Sequence, residues 1–258
     1  MNPPPGPPVA TRKVPTALAV TATALAAGAA VPLLPRRVRP FVGLGATALG
    51  VGLAARGGID APALGLDPAA ARAGLRTGAV AAAAVAAVIG TAAALPATRT
   101  LFADARVTGA TPRQAAYEVL VRIPVATALA EEVLFRGALL GAWQVAAGTP
   151  TAVAVSSLTF GVWHVLPALE AHRHNPVGAR LSARADDRLR ARAGGRVGHV
   201  GGTIVATAAA GAAFAALRLR SRSVVAPVMA HTAVNLVGYL AARWAHSPVA
   251  DAAPVAQP

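Results

Sequence analysis

The 258 residues contain no cysteine, which excludes disulfides, thiolate metal sites and cysteine nucleophiles together. Charge is scarce too: 13% of residues are charged, about half of what a soluble domain usually carries. Any chemistry must therefore come from His, Glu, Asp, Ser or Thr. What the chain has instead is apolar sequence, with 55% hydrophobic residues and a mean hydropathy of +0.54. These residues come in runs near the ~20 positions needed to cross a bilayer. An all-α, polytopic membrane helix bundle follows.

The net charge of +14 would suit a phosphate backbone, but its distribution argues against nucleic acid. Basic residues flank the apolar runs, as Arg36, Arg37 and Arg39 do, or collect in one long loop. There they act as orientation signals and contacts for anionic lipid. Abundant Ala and Gly let membrane helices approach closely.

Residues 1–13 are proline-rich and read as a flexible tail. Residues 14–98 hold the N-terminal transmembrane helices, with spans at 14–35, 40–55 and 77–96. A short surface helix at 68–76 is capped by Asp67 and started by Pro68. The first span runs straight into "RRVR", which marks it as retained rather than cleaved. Residues 99–245 form the core. It opens with an amphipathic interfacial helix, with Thr111 at the cap and Pro112 at the first position, that Pro124 breaks or kinks. Spans at 125–147, 149–167, 200–217 and 223–243 follow, then a flexible tail at 246–258. The segment 170–199 carries an arginine every few residues from Arg173 to Arg196. The positive-inside rule makes it a cytoplasmic loop, resting on anionic lipid.

Ionisable groups inside a span cost about 2.5–3.5 kcal/mol each, so they are functional candidates by default. Here they are Glu131, Glu132 and Arg136 in the fourth span, His164 in the fifth, and His231 with Asn235 in the seventh. Glu132 and Arg136 are spaced i, i+4 with the acid first, the favourable order for an ion pair. Glu131 points about 100° away from Glu132 and is the carboxylate left available. His231 and Asn235 project from one face of their helix. A carboxylate, two imidazoles and a carboxamide on three helices could activate water and stabilise developing negative charge. The alternative is a buried hydrogen-bond network that holds the bundle together, a weaker reading for the whole set because the Glu132–Arg136 pair would already supply that glue.

Glu131-Glu132-x-x-x-Arg136, Phe160-x-x-x-His164 and His231-x-x-x-Asn235, in this order on successive apolar segments, resemble the three motifs of the CPBP family. These are the CAAX-processing and bacteriocin-processing intramembrane glutamic endopeptidases, also called the Abi family. The resemblance covers about residues 111–243. It implies seven or eight transmembrane helices around a conical intramembrane cavity that opens to the cytosol. Glu131 would be the general base, assisted by His164; His231 and Asn235 would stabilise the oxyanion; Glu132 and Arg136, with Phe160, would stand behind them. Metal-free catalysis, with no cofactor, and a membrane-associated or lipidated peptide substrate in a bacterial plasma membrane belong to the same expectation. The rival readings are a zinc protease using Glu131, His164 and His231, although no H-E-x-x-H is present, and a non-catalytic immunity or scaffold protein on the same fold. A serine route through Ser156 or Ser157 lacks a Gly-rich nucleophile turn, and both hydroxyls are expected to bond helix carbonyls.

Overall fold

The computed structural model describes residues 9–167, apart from 36, 103, 105, 106 and 108, and residues 196–245. The expected C-terminal tail at 246–258, and the arginine-rich loop as far as residue 195, lie outside the described residues. Every regular element among the described residues is helical. The main ones are α1 (Val9–Ala30), α2 (Arg39–Arg56), α3 (Ala71–Ala94), α4 (residues 112–147), α5 (residues 149–163), α6 (Arg196–Ser221) and α7 (Val225–Ala245).

Three boundaries differ from the sequence reading. The helix α1 begins at Val9, inside the stretch expected to be a tail, because the prolines stop at Pro8 and none recurs before Pro15. Asp67 does cap a turn, its side chain accepting from the Ala69 N–H, but the expected surface helix does not end at residue 76. It continues unbroken through Ala94, since no breaker separates it from the third span. The chain also passes Pro124 without a break. Thr111 and Gln114 form a reciprocal capping box at the start of α4. From Glu118 to Leu129 the helix then takes the wider π winding, with Pro124 inside it. Proline has no N–H to give and its ring crowds the preceding turn, so a wider turn accommodates it. A second π stretch runs from Val133 to Leu139, and such stretches are rare and often mark functional sites.

At Gly148 (φ 82°, ψ 170°) the chain turns sharply between α4 and α5, in a region essentially reserved for glycine. The two helices return alongside each other. Ser156 Oγ donates to the Phe135 carbonyl at 2.8 Å, and Phe135 meets Phe160 and Trp163 edge-on at 5.2 and 5.4 Å. This α4–α5 hairpin is the centre of the molecule. On one side α1 and α2 pack against it, with Gly50 of α2 facing Leu134. On the other, α6 lies along α5 and α7 lies against α4 and α3. The core joins Val20, Ala54, Leu134, Phe135, Phe160 and Phe214.

The outer surface is apolar. Phe41, Val80, Val88, Leu120 and Val205 are each at least 70% exposed, which in water would be a large liability and in lipid is neutral. Five helical segments are long and apolar enough to cross a membrane: 13–33, 68–94, 112–167, 201–221 and 225–245. The third spans 56 residues and contains the hairpin turn, while α2, with arginine at both ends, is not among the five. The protein is a multi-pass membrane protein.

Candidate active site

The underwound helix α4 carries the two glutamates where the hairpin, α6 and α7 meet. Glu132 and Arg136 are fully buried. Arg136 Nη1 donates to Glu132 Oε1 at 3.1 Å. His231 of α7 binds the same oxygen from 2.8 Å through Nδ1, a contact across 99 residues that sequence spacing gave no sign of. One carboxylate thus holds a guanidinium from its own helix and an imidazole from another.

Arginine is surrounded by aromatic faces. Its Cζ lies 4.0 Å from the Phe160 ring centroid, 5.3 Å from Phe214 and 5.7 Å from Phe135. Such contacts supply cation–π attraction in a site from which water is displaced. The helix α6 comes close because residue 211 is glycine: a Cβ there would lie 3.1 Å from Arg136 Nη2, 3.2 Å from Ser157 Cα and 3.4 Å from Phe160 Cδ1.

Glu131 faces elsewhere. Its side chain is 14% exposed, and its Oε2 stands 3.7 Å from Nε2 of His164, which is 24% exposed. That Oε2 is buried and has no hydrogen-bond partner among the described residues. The other ring nitrogen of His164, Nδ1, is 2.9 Å from the Phe160 carbonyl. A carbonyl only accepts, so Nδ1 carries the proton, and in the neutral ring Nε2 is an acceptor. The Phe160 side chain packs on the same imidazole at 4.2 Å, so one residue supports both Arg136 and His164.

The structure therefore brings together Glu131 with His164, and Glu132 with Arg136 and His231, with Phe160 between the two groups. Asn235, one turn beyond His231, is half-buried and forms no hydrogen bond with any of them. The zinc set of Glu131, His164 and His231 is not assembled: among the described residues no three His, Asp or Glu side chains converge on a point. Ser156 bonds a helix carbonyl, as expected, whereas the buried Ser157 hydroxyl has no hydrogen-bond partner among the described residues.

Sequence reasoning missed the supporting residues. Thr47 of α2 donates to the Ala130 carbonyl, 2.8 Å away, immediately before Glu131. Gly211 and Phe214 of α6 are spaced to share a face, but a glycine and a phenylalanine among alanines carry no signal that separates them from ordinary packing.

A multi-pass chain whose described elements are all helical, with a carboxylate–imidazole pair between its helices, is a polytopic membrane protein. Residues 113–237 match the family model described as Rce1-like, type II CAAX prenyl endopeptidase. That segment, a little under half of the chain, is similar to this family of membrane endopeptidases, in agreement with the resemblance carried by the three motifs. No curated protein and no solved structure matches the chain.

Proposed function

We propose that the protein is an intramembrane endopeptidase that hydrolyses a peptide bond with a water activated by Glu131 and His164, without a metal ion. The observation that carries this reading is the Glu131–His164 pair: a buried, unpartnered carboxylate oxygen 3.7 Å from an imidazole nitrogen. Two acceptors at that separation require a donor between them. A water held by both atoms satisfies them and is the nucleophile in this reading. Its oxygen attacks the scissile carbonyl while Glu131 takes one proton. With Nδ1–H donating to Glu132, a doubly protonated His231 offers Nε2–H to the oxyanion, beside the Asn235 carboxamide. Collapse of the tetrahedral intermediate breaks the C–N bond, and the proton on Glu131 passes to the leaving amine.

In the same reading the hairpin crosses the membrane twice and α2 crosses despite its terminal arginines, giving seven spans around a cavity open to the cytosol. The arginine-rich segment lies on anionic lipid at the cytoplasmic face of a bacterial plasma membrane. The substrate is a membrane-associated peptide or a lipidated protein.

The test is cleavage of a peptide library, with and without lipidation, by purified protein and by Glu131→Gln, each with chelator and with added zinc. Cleavage by the wild type that resists chelator and disappears in Glu131→Gln is expected. Equal cleavage by the variant refutes the glutamic mechanism, and activity lost to chelator and restored by zinc refutes the metal-free one. A protein that cleaves nothing, with a cellular phenotype preserved in Glu131→Gln, is a scaffold.

A further inference from the structure

The imidazole of His231 is held on three sides. Nδ1 meets Glu132 Oε1 at 2.8 Å, the Phe160 ring stands edge-on at 6.0 Å and 83°, and the Phe214 ring lies nearly parallel at 5.1 Å and 20°. The first contact pins one atom. A ring pinned at one atom can still swing about it, and the direction of Nε2 swings with it. A flat slab against the ring face removes that freedom. Phe214 is such a slab: it is only 8% exposed, and its own ring is backed by Phe160 at 6.4 Å. It also lies 5.3 Å from the Arg136 guanidinium, so it touches both partners of Glu132. Gly211, one turn earlier, allows α6 to approach closely enough for this stacking.

We infer that Phe214, on a helix that none of the three motifs marks, is a positioning residue that fixes the ring plane of His231 and so aims its Nε2 at the reacting carbonyl. Its catalytic consequence rests on the glutamate-and-water reading above; its effect on the imidazole does not. Filling the space is not sufficient for this role. An aliphatic side chain of similar volume keeps the core closed but presents no flat face, and it loses the stacking of one aromatic ring on another.

The test compares two flat replacements, Phe214→Tyr and Phe214→Trp, with two aliphatic ones, Phe214→Leu and Phe214→Met, in the full chain in detergent. Three quantities are read: thermal stability, kcat and KM on a peptide that the wild type cleaves, and the nitrogen-bound proton resonance of His231 in histidine-labelled protein, assigned with His231→Gln. At least one flat variant is expected to keep kcat within about threefold and the His231 signal in place. The aliphatic variants are expected to fold, lose about tenfold or more in kcat with KM within about twofold, and shift or broaden that signal. Equal activity and an unchanged signal in the aliphatic variants overturn the inference, as does an equal loss in flat and aliphatic variants, which would mean simple packing. Two variants of each kind keep the comparison available if one fails to fold. If the wild type cleaves nothing, or Glu131→Gln cleaves as well as it does, the proposed mechanism fails, and the His231 resonance still decides the role of Phe214.

Discussion

Adjacent glutamates of identical chemistry should respond in opposite ways to the same substitution. Glu132→Gln keeps the side-chain volume but removes the charge that faces Arg136 at 3.1 Å and His231 at 2.8 Å, with Glu132 and Arg136 both fully buried. Removing one partner of a buried pair leaves the other charge uncompensated and costs about 3–5 kcal/mol. For a chain of this size that is a fall of about 6–20 °C in Tm. Glu131→Gln strands less: Oε2 makes no hydrogen bond among the described residues, His164 Nε2 is 3.7 Å away, and its charge acts on Arg136 less than that of Glu132 does. Its stability should stay within about 1 kcal/mol of wild type, while cleavage falls by about a hundredfold or more with loss of the general base. Thermal denaturation in detergent and a peptide-cleavage assay on the same three preparations measure both effects. A Glu131→Gln variant that melts early, or a Glu132→Gln variant that melts like wild type, would refute the division of labour between the two residues.

Gly148→Ala should cost about 1–3 kcal/mol through backbone conformation alone, since nothing lies within 4 Å of the added Cβ; Gly90→Ala, equally open but helical, should instead stabilise by up to about 1 kcal/mol, and Tm compares the two. Thr47→Val should lose about 0.5–1.5 kcal/mol with its bond to the Ala130 carbonyl, and a kcat reduced more than KM would show that α2 helps to place Glu131. Gly211→Ala puts a methyl group 3.1 Å from Arg136 Nη2 and 3.2 Å from the Ser157 backbone, so Tm should fall by several degrees, from strain of about 1–3 kcal/mol. Replacing the pair by apolar residues, Glu132→Leu with Arg136→Met, should recover or exceed wild-type stability yet leave the protein inactive, as melting and cleavage assays would report.

The sequence displayed the membrane class and most of the helices plainly, because apolar runs and polar punctuation are set by local composition. Thr111 and Pro112 started α4 as their chemistry requires. Pro124 misled because a helix can widen instead of breaking, and the choice depends on what packs around it. The Glu132–Arg136 pair was legible because both residues sit on one helix at a fixed spacing. The bond from His231 to the same oxygen was not, since it depends on how α7 lies against α4. The supporting residues Thr47, Gly211 and Phe214 were hidden for the same reason: each acts on another helix, and its neighbours in sequence say nothing about its neighbours in space.

Buried ion pairs are a poor way to gain stability, because apolar residues of similar volume often do as well or better. Charges within a membrane span are dearer still. If the Glu132–Arg136 pair served only to hold α4 in place, the surrounding Phe135, Phe160 and Phe214 could do so without it. The second bond to Glu132 is what apolar residues cannot replace. Glu132 binds Nδ1 of His231, and a carboxylate left with histidine alone would be a buried anion whenever that ring is neutral. Arg136 keeps the site charge-balanced in that state. On this argument the arginine is retained because it neutralises a buried carboxylate that also orients the His231 imidazole. Glu131, one residue earlier, makes no hydrogen bond to Arg136 or His231 and faces His164 instead.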